Sequence, residues 1–248
     1  MAIKVTVFNR KGGVGKTTLA IILTQIALKK GKTVLAVEQD EQNNFNVSVS
    51  YLKDEPQFTN RFTLKTVLTK EDFASSADWI IIDCPPSFNE RTRFALRNSD
   101  LILVPVRPNL YSIMPFTQIR EAAGDSKEAF QFPIVKVSFD GKTPSRIAEE
   151  DIAELTRKGY LVIGNLPLYS TIPANISSDR KKWWSVGLQA QARRPFESIY
   201  TWLKLLYRKL QALRQEKDEQ KRGENVDPFD PENPDLAMFG RKQVSPAI

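Results

Sequence analysis

The stretch NRKGGVGKTT, from Asn9 to Thr18, has residue types and spacing suited to binding phosphate. It nearly fits the phosphate-loop pattern G-x-x-x-x-G-K-S/T, but Arg10 stands where the first glycine belongs and Lys11 follows it. Backbone N–H groups of the glycine-rich turn can converge on phosphate oxygens, Lys16 can reach the outer phosphates, and the Thr17 hydroxyl can ligate Mg²⁺. The loop therefore predicts a nucleotide site with an additional lysine, Lys11, that the general pattern does not contain.

Three carboxylates at the ends of predicted strands could complete such a site. Asp83 follows the apolar run WIII, and a carboxylate at the end of a buried strand is costly unless it is paired or near a metal. Glu38 and Asp40 end another apolar run. Alternate residues of a strand face the same side, so we expect both carboxylates to point toward the phosphates from the carboxyl edge of the sheet. Ordinary strand-end charges are the alternative interpretation.

The elements that must position these residues follow from the hydrophobic pattern. Six apolar, β-branched runs predict strands, several of them continuous, as in strands covered on both faces: IKVTVF, TVLAVEQ, DWIIIDC, LILVPV, PIVKVSF and YLVIGNLP. Helical patterns lie between them, the clearest from Thr17 to Lys30, which is followed by Gly31. This alternation predicts an α/β fold with a doubly wound, mainly parallel sheet and helices on both faces.

The C-terminal part changes character in two steps. From Arg193 the sequence predicts a helix with a broad apolar stripe that docks on the domain. After Leu213 a charged run is followed by a Pro- and Asp-rich segment that cannot bury enough apolar surface to fold alone. We therefore predict a single domain over residues 1–213 and a disordered or motif-docked tail over 214–248.

The string KGGVGKTT resembles the deviant Walker A box of the ParA/MinD family of ATPases, and the resemblance extends through most of the first 210 residues. It implies ATP and Mg²⁺ as cofactors and a homodimer that forms on ATP binding, in which Lys11 contacts phosphates bound by the other subunit. It also implies that Asp40 positions or deprotonates the attacking water and that Asp83 serves Mg²⁺ through water, beside Thr17. Glu38 departs from the family's usual aspartate. The implied ATP-binding residues are Lys11, Gly12, Gly13, Val14, Gly15, Lys16, Thr17 and Thr18.

Composition excludes several other classes. The chain of 248 residues has one cysteine, Cys84, and no histidine, which rules out an internal disulfide and His-based acid/base chemistry. No run approaches the roughly 18 apolar residues of a membrane span, and nothing resembles an export signal, so we expect a cytoplasmic protein. The C-terminal end is acidic, Pro-rich and short of apolar periodicity, so we also expect no amphipathic membrane-binding helix there. The chain begins directly at the first strand, which predicts that it has no N-terminal helix-turn-helix extension.

The net charge of +7 is concentrated in one region. Residues 180–222 contain 12 Lys and Arg against 4 Asp and Glu. A patch there could bind DNA phosphates without reading sequence, as ParA relatives hold the nucleoid, whereas a solvated helix face is the alternative. The candidate DNA-binding residues are Arg180, Lys181, Lys182, Arg193, Arg194, Lys204 and Arg208. The resemblance further implies a ParB-like or other adaptor that stimulates a slow ATPase and links it to a plasmid or a protein assembly.

Two weaker signals and two competing functions remain. Thr69 to Asp72, TKED, matches a guanine-reading pattern but precedes the Asp83 strand, so a helix cap is the better interpretation. Adenine contacts are expected near Pro167. A MinD-like membrane switch would bind anionic liposomes with ATP, and a metabolic ATP-dependent enzyme on the same scaffold would turn over without DNA or a protein partner.

Overall fold

In the part of the chain that the structure describes, a seven-stranded sheet lies at the centre of the fold. The computed structural model describes residues 2–107, 116–124, 126–139, 146–168 and 190–224. The strands are β1 Ile3–Val7, β2 Val34–Glu38, β3 Phe62–Lys65, β4 Trp79–Asp83, β5 Leu101–Val106, β6 Ile134–Phe139 and β7 Val162–Leu168. Their spatial order is β3-β2-β4-β1-β5-β6-β7, and every neighbouring pair is parallel. The predicted α/β fold with a parallel sheet is confirmed.

Helices connect these strands and cover the sheet. They are α1 Lys16–Lys29, α2 Asn44–Val49, α3 Glu90–Asn98, α4 Phe116–Ala123, α5 Arg146–Arg157 and α6 Ala190–Glu224. Apolar residues of α3 and α4 join one core cluster with Phe8, Ile80 and Ile82, whereas α1 packs against β1, β2 and β4. Every residue of β2, β4 and β5 is buried, which explains why their sequences are apolar except for Glu38 and Asp83 at the ends of β2 and β4.

The first helix begins one residue earlier than predicted, at Lys16, and has the predicted C-terminal signal. Gly31 follows the helix with φ of 77°, in the left-handed region that glycine tolerates. Its N–H donates to the carbonyl oxygen of Leu28, and the Lys32 N–H donates to that of Ala27. This pair of bonds is the Schellman motif, which satisfies carbonyl groups at the end of the helix. Both ends of α1 are therefore fixed by glycine-containing turns.

The strand β3 was not among the six predicted strands. Its sequence, FTLK, is only four residues long, and its side chains alternate between buried and exposed because it lies at the edge of the sheet. This strand has neither the length nor the apolar run by which the other six were predicted. The sheet consequently extends beyond β2 by one strand.

The terminal helix docks as predicted over its first half. Phe196, Ile199 and Leu203 are buried, and Tyr200 stacks on Trp79 with ring centroids 4.8 Å apart. The helix begins at Ala190 and continues to Glu224, so the first part of the segment predicted as a disordered tail is helical. The charged residues 214–220 are exposed along it.

The chain divides into two compact units, residues 1–207 and 208–248. The first contains the whole sheet, and the described part of the second is the C-terminal end of α6. The boundary predicted at residue 213 stays a prediction. Among the described residues, every helix is too short or too polar to cross a bilayer.

Candidate functional site

The glycine-rich loop leaves β1 at its carboxyl end and enters α1. Gly13 and Gly15 have φ values of 66° and 91°, which favour glycine. A Cβ atom built on Gly12 or Gly13 meets nothing within 4 Å, so the space in front of the loop is open. Val14 is fully buried and anchors the loop between these glycines. Gly15 brings no capping side chain to the first turn of α1, which leaves backbone N–H groups facing a position suited to an anion.

Lys16, the first residue of α1, is directed back over this loop. Its side chain is buried, and its Nζ atom donates to the carbonyl oxygen of Lys11 at 3.1 Å. Burial lowers the pKa of Lys16, while the nearby carboxylates of Asp83 and Asp40 act in the opposite direction. An ammonium group held in this way has little water to lose when an anion binds, and an anion beside it would favour the charged form of Lys16.

Thr17 and Asp83 meet although they are 66 residues apart in the chain. The Thr17 hydroxyl donates to Oδ2 of Asp83 at 2.7 Å. The other oxygen, Oδ1, is buried without a hydrogen-bond partner among the described residues. Burial raises the pKa of Asp83 to about 8, and the hydrogen bond from Thr17 opposes that rise.

This donor set fits a hard cation. The hydroxyl of Thr17 and the unsatisfied carboxylate oxygen of Asp83 are oxygen ligands of the kind that Mg²⁺ prefers, either directly or through water. Lys16 alone does not compensate the three carboxylates near it, because Glu38 and Asp40 both act to raise the pKa of Asp83. A divalent cation at this position would therefore relieve the electrostatic cost of burying Asp83.

Glu38 and Asp40 do not both lie on β2, as strand alternation had assumed. β2 ends at Glu38, so Asp40 lies in the following loop rather than on the strand. Both oxygens of Glu38 accept backbone N–H groups: Oε1 from Asp40 at 3.0 Å, and Oε2 from Phe45 at 2.8 Å and Asn46 at 3.2 Å. Burial raises the pKa of Glu38, and these three bonds lower it. The strand argument therefore does not apply to Asp40, and the carboxylate of Glu38 is bonded to the backbone of the following loop. That both carboxylates point toward the phosphates stays a prediction.

Asp40 is only half-buried, and its Oδ1 atom accepts the N–H of Gln42 at 3.1 Å. Where β2 pairs with β4, Glu38 lies opposite Asp83, so the ends of the two strands are side by side. The Gln39 N–H donates to the Asp83 carbonyl oxygen at 2.9 Å. The loop that carries Asp40 thus begins beside the Thr17–Asp83 pair. An acceptor at this position could orient a water molecule.

Lys11, in the glycine-rich loop, is exposed to solvent. Its backbone N–H donates to Oδ1 of Asn9 at 2.9 Å, and Nδ2 of Asn9 donates to the carbonyl oxygen of Pro105 at 2.9 Å. Arg10 donates to Oε1 of Gln118 on α4 at 2.6 Å. Sequence reasoning missed Asn9 as the anchor of the loop, although its place between the strand and the glycines was a usable signal.

The remaining predicted residues are only partly described. Arg180, Lys181 and Lys182 lie outside the described residues, and the side chains of Arg193 and Pro167 do as well, although their backbones belong to α6 and β7. On α6, Arg194 and Arg208 are exposed, while Lys204 is half-exposed with its Nζ atom 5.9 Å from the centroid of the Tyr200 ring. Thr18, the last residue of the loop motif, is half-buried in the first turn of α1.

The TKED motif, Thr69 to Asp72, forms local contacts in the structure. Asp72, in the short 3-10 helix Glu71–Ala74, accepts hydrogen bonds from the N–H and hydroxyl of Thr69 and forms an ion pair with Lys65. These contacts give the TKED motif a local structural role.

Cys84 is buried in the core, and burial raises the pKa of its thiol well above the ordinary value, which makes the thiolate scarce.

Comparison with protein families gives a match to a family model described as an AAA domain, over residues 2–77 and 56–132. The chain is 26% identical over 159 residues to the sporulation initiation inhibitor protein Soj of Bacillus subtilis, covering 46% of this chain and 62% of that protein. It is 25% identical over 209 residues to the chromosome-partitioning ATPase Soj of Thermus thermophilus, covering 70% of this chain and 82% of the relative.

Among solved structures, the fold is similar to a Borrelia burgdorferi protein described as a plasmid partition protein and bound to AMPPNP. The TM-score is 0.61 with 18% identity, covering 84% of this chain and 99% of the other. The identity is low enough that this likeness concerns the fold alone. The chain spans about 60% of the length of curated relatives such as the Bacillus subtilis protein.

Proposed function

Because the chain belongs to the ParA/MinD family of P-loop ATPases with a deviant Walker A box, we propose that it is a ParA-type ATPase that dimerises on ATP, binds nonspecific DNA as the dimer and positions a cargo. The observation that carries the nucleotide part is the Thr17–Asp83 hydrogen bond beside an open glycine-rich loop and a buried Lys16. This arrangement supports the binding of a nucleoside triphosphate together with a divalent cation.

Each residue of the site has one role in this proposal. The backbone N–H groups of residues 12–18 and the Lys16 ammonium hold the phosphates, while Thr17 and Asp83 hold Mg²⁺, with Asp83 acting through water. Mg²⁺ supplies charge neutralisation on the phosphate oxygens when it is bound. Asp40 orients the attacking water. The chain has no histidine to act as a general base, so we expect slow intrinsic hydrolysis.

Lys11 distinguishes the dimeric switch from a monomeric ATPase. Its exposed position on the loop leaves it accessible to a second protomer, whereas Lys16 is buried within its own. A cation supplied across an interface neutralises charge on the phosphates and couples nucleotide binding to dimerisation, as an arginine finger does. Lys11 therefore links ATP to the formation of a dimer.

DNA binding and the adaptor complete the proposed cycle. The exposed Arg194 and Arg208, together with the basic residues Arg180, Lys181, Lys182, Arg193 and Lys204, supply cations for contacts with the DNA backbone. Such contacts would keep the dimer associated with the nucleoid in the cytoplasm. A ParB-like or other adaptor then stimulates hydrolysis and releases the dimer, and the cargo is a plasmid or a protein assembly.

The test is co-sedimentation with DNA in the presence of ATP, ADP or no nucleotide, combined with the measured molar mass in solution. We expect DNA binding and a doubled mass only with ATP, and loss of both in Lys11→Ala with ATP affinity retained. Lys53→Ala, which removes an exposed lysine elsewhere, is the matched control. A Lys11→Ala protein that still dimerises and binds DNA would refute the proposal. ATP-dependent binding to anionic liposomes without DNA binding would favour a membrane switch, and turnover without either partner would favour a metabolic enzyme.

A further inference from the structure

The carboxylate of Glu38 is nearly inaccessible to solvent and is bonded only to backbone groups in the described contacts. The residue is 2% exposed. Its three hydrogen bonds go to N–H groups on both sides of the loop between β2 and α2: Asp40 at the start of this loop, and Phe45 and Asn46 in the first turn of the helix. One side chain thus ties the two ends of the loop together.

The loop has a tight internal structure between these attachments. The Asn43 N–H donates to the Asp40 carbonyl oxygen at 3.0 Å, and Oδ1 of Asp40 accepts the Gln42 N–H. Asn43 has φ of 58°, in the left-handed region that asparagine tolerates better than most residues. The direction of the Asp40 side chain is therefore set by a turn whose backbone is held by Glu38.

The length of glutamate suits this task. Its two oxygens reach donors that are seven and eight residues away and, at the same time, a donor two residues away. An aspartate at the same place is one methylene shorter, so it could not span all three donors without a shift of the backbone. A catalytic group that is misplaced by about 1 Å loses about a hundredfold in rate, so the geometry of this loop affects any reaction that uses Asp40.

We propose that Glu38 is a positioning residue, which holds the Asp40 loop in the conformation required for ATP hydrolysis and acts through Asp40 rather than on the phosphates. This inference rests on the proposed ATPase function. It assigns to Glu38 a role different from that of a second carboxylate facing the nucleotide.

The first measurement needs no nucleotide. Hydrogen exchange of the backbone amides of residues 40–46 is compared in the full chain, in Glu38→Ala and in Asp100→Asn. Asp100 is a suitable control because its buried carboxylate also accepts a backbone N–H, that of Lys4, but at the opposite end of the sheet. We expect Glu38→Ala to accelerate exchange at residues 40–46 and Asp100→Asn to leave it unchanged. Unchanged exchange in Glu38→Ala would refute the proposal.

The second measurement separates positioning from a direct or merely structural role. We expect Glu38→Ala to reduce kcat about tenfold to hundredfold while ATP affinity changes less than about threefold. Glu38→Gln, which keeps the length and one acceptor oxygen, should recover part of the rate. In the Asp40→Asn background, Glu38→Ala should cause no further loss, because the two residues act in series.

Additive losses in the double variant would mean that Glu38 acts independently of Asp40 and would overturn the inference, as would equal losses in kcat and ATP affinity. If the parent protein does not hydrolyse ATP at all, the proposed function fails. The exchange measurement then decides by itself whether Glu38 holds the loop.

Discussion

The phosphate loop and the terminal helix α6 both carry cations, but they hold them in different ways. Lys16 is 7% exposed, bonded to a loop carbonyl and close to carboxylates, whereas Arg194 and Arg208 project from α6 into solvent. A buried charge is costly and has one position, so its effect on binding is large and specific. An exposed charge is screened by salt and replaceable by its neighbours, so its effect is small and cumulative.

The largest effect is expected from Lys16→Ala. Loss of a buried, preoriented ammonium should weaken the binding of a fluorescent ATP analogue at least ~100-fold, about 3 kcal/mol, because charge-assisted bonds to phosphate are strong where water is excluded. Calorimetry or fluorescence anisotropy measures it. The exposed Lys53→Ala control should bind the analogue normally. Similar affinities for the two variants would mean that burial does not distinguish the lysines.

The buried carboxylate of Asp83 should make the free energy of unfolding depend on pH. The pKa of Asp83 is raised from 3.8 to about 8 in the folded protein. Because the folded state holds the proton more tightly, the contribution of this group to stability is fully present below about pH 4 and is lost as the pH rises through 8. Asp83→Asn has no proton to lose there, so the nucleotide-free variant should be more stable than the parent by about 2 kcal/mol near pH 8.

Urea unfolding of both proteins between about pH 4 and 9 measures this difference. The two curves should approach each other toward the acidic end. Adding Mg²⁺ and ATP to the parent should close the gap near pH 8, because a bound cation favours the ionised carboxylate. A difference in stability that does not vary with pH would contradict the assignment.

The docked half of α6 is expected to be sensitive to packing rather than to charge. A Cβ atom on Gly164 of β7 would lie 2.8 Å from Cγ1 and 3.0 Å from Cδ1 of Ile199, a β-branched side chain with little freedom to move. Gly164→Ala should therefore cost about 1–2 kcal/mol in the free energy of unfolding without changing ATP affinity. In an Ile199→Ala background the added methyl group should cost nothing further. A full cost in that background would place the strain elsewhere.

The smallest effects are expected from the exposed cations of α6. Arg194→Glu and Arg208→Glu should each change stability by less than about 0.5 kcal/mol. With ATP present, each should reduce the slope of log affinity for DNA against log salt by about 1 if that arginine contacts a phosphate. Arg157→Glu, an exposed arginine at the end of α5, is the matched control. Salt slopes that match the control would indicate that α6 is a solvated face.

The sequence predicted those parts of the site that depend on local spacing. Gly13, Gly15, Lys16 and Thr17 are close in sequence, so a strand, a turn and a helix suffice to arrange them. Six of the strands were predicted from their apolar, β-branched runs. Tertiary structure decided the partners that are distant in sequence: Thr17 with Asp83, and Asn9 with Pro105.

The clearest case of this limit is Glu38. Strand alternation says which face a side chain leaves from, but it stops where the strand stops, and β2 stops at Glu38. The hydrogen bonds of a buried carboxylate at this place depend on which backbone N–H groups the following turn brings near it. For Glu38 these are the N–H groups of Asp40, Phe45 and Asn46. The sequence by itself determined the phosphate loop and the parallel sheet, because their patterns are local and periodic. Only the tertiary structure decided which groups bond to the carboxylates of Glu38 and Asp83, because that depends on strand ends and register across the sheet.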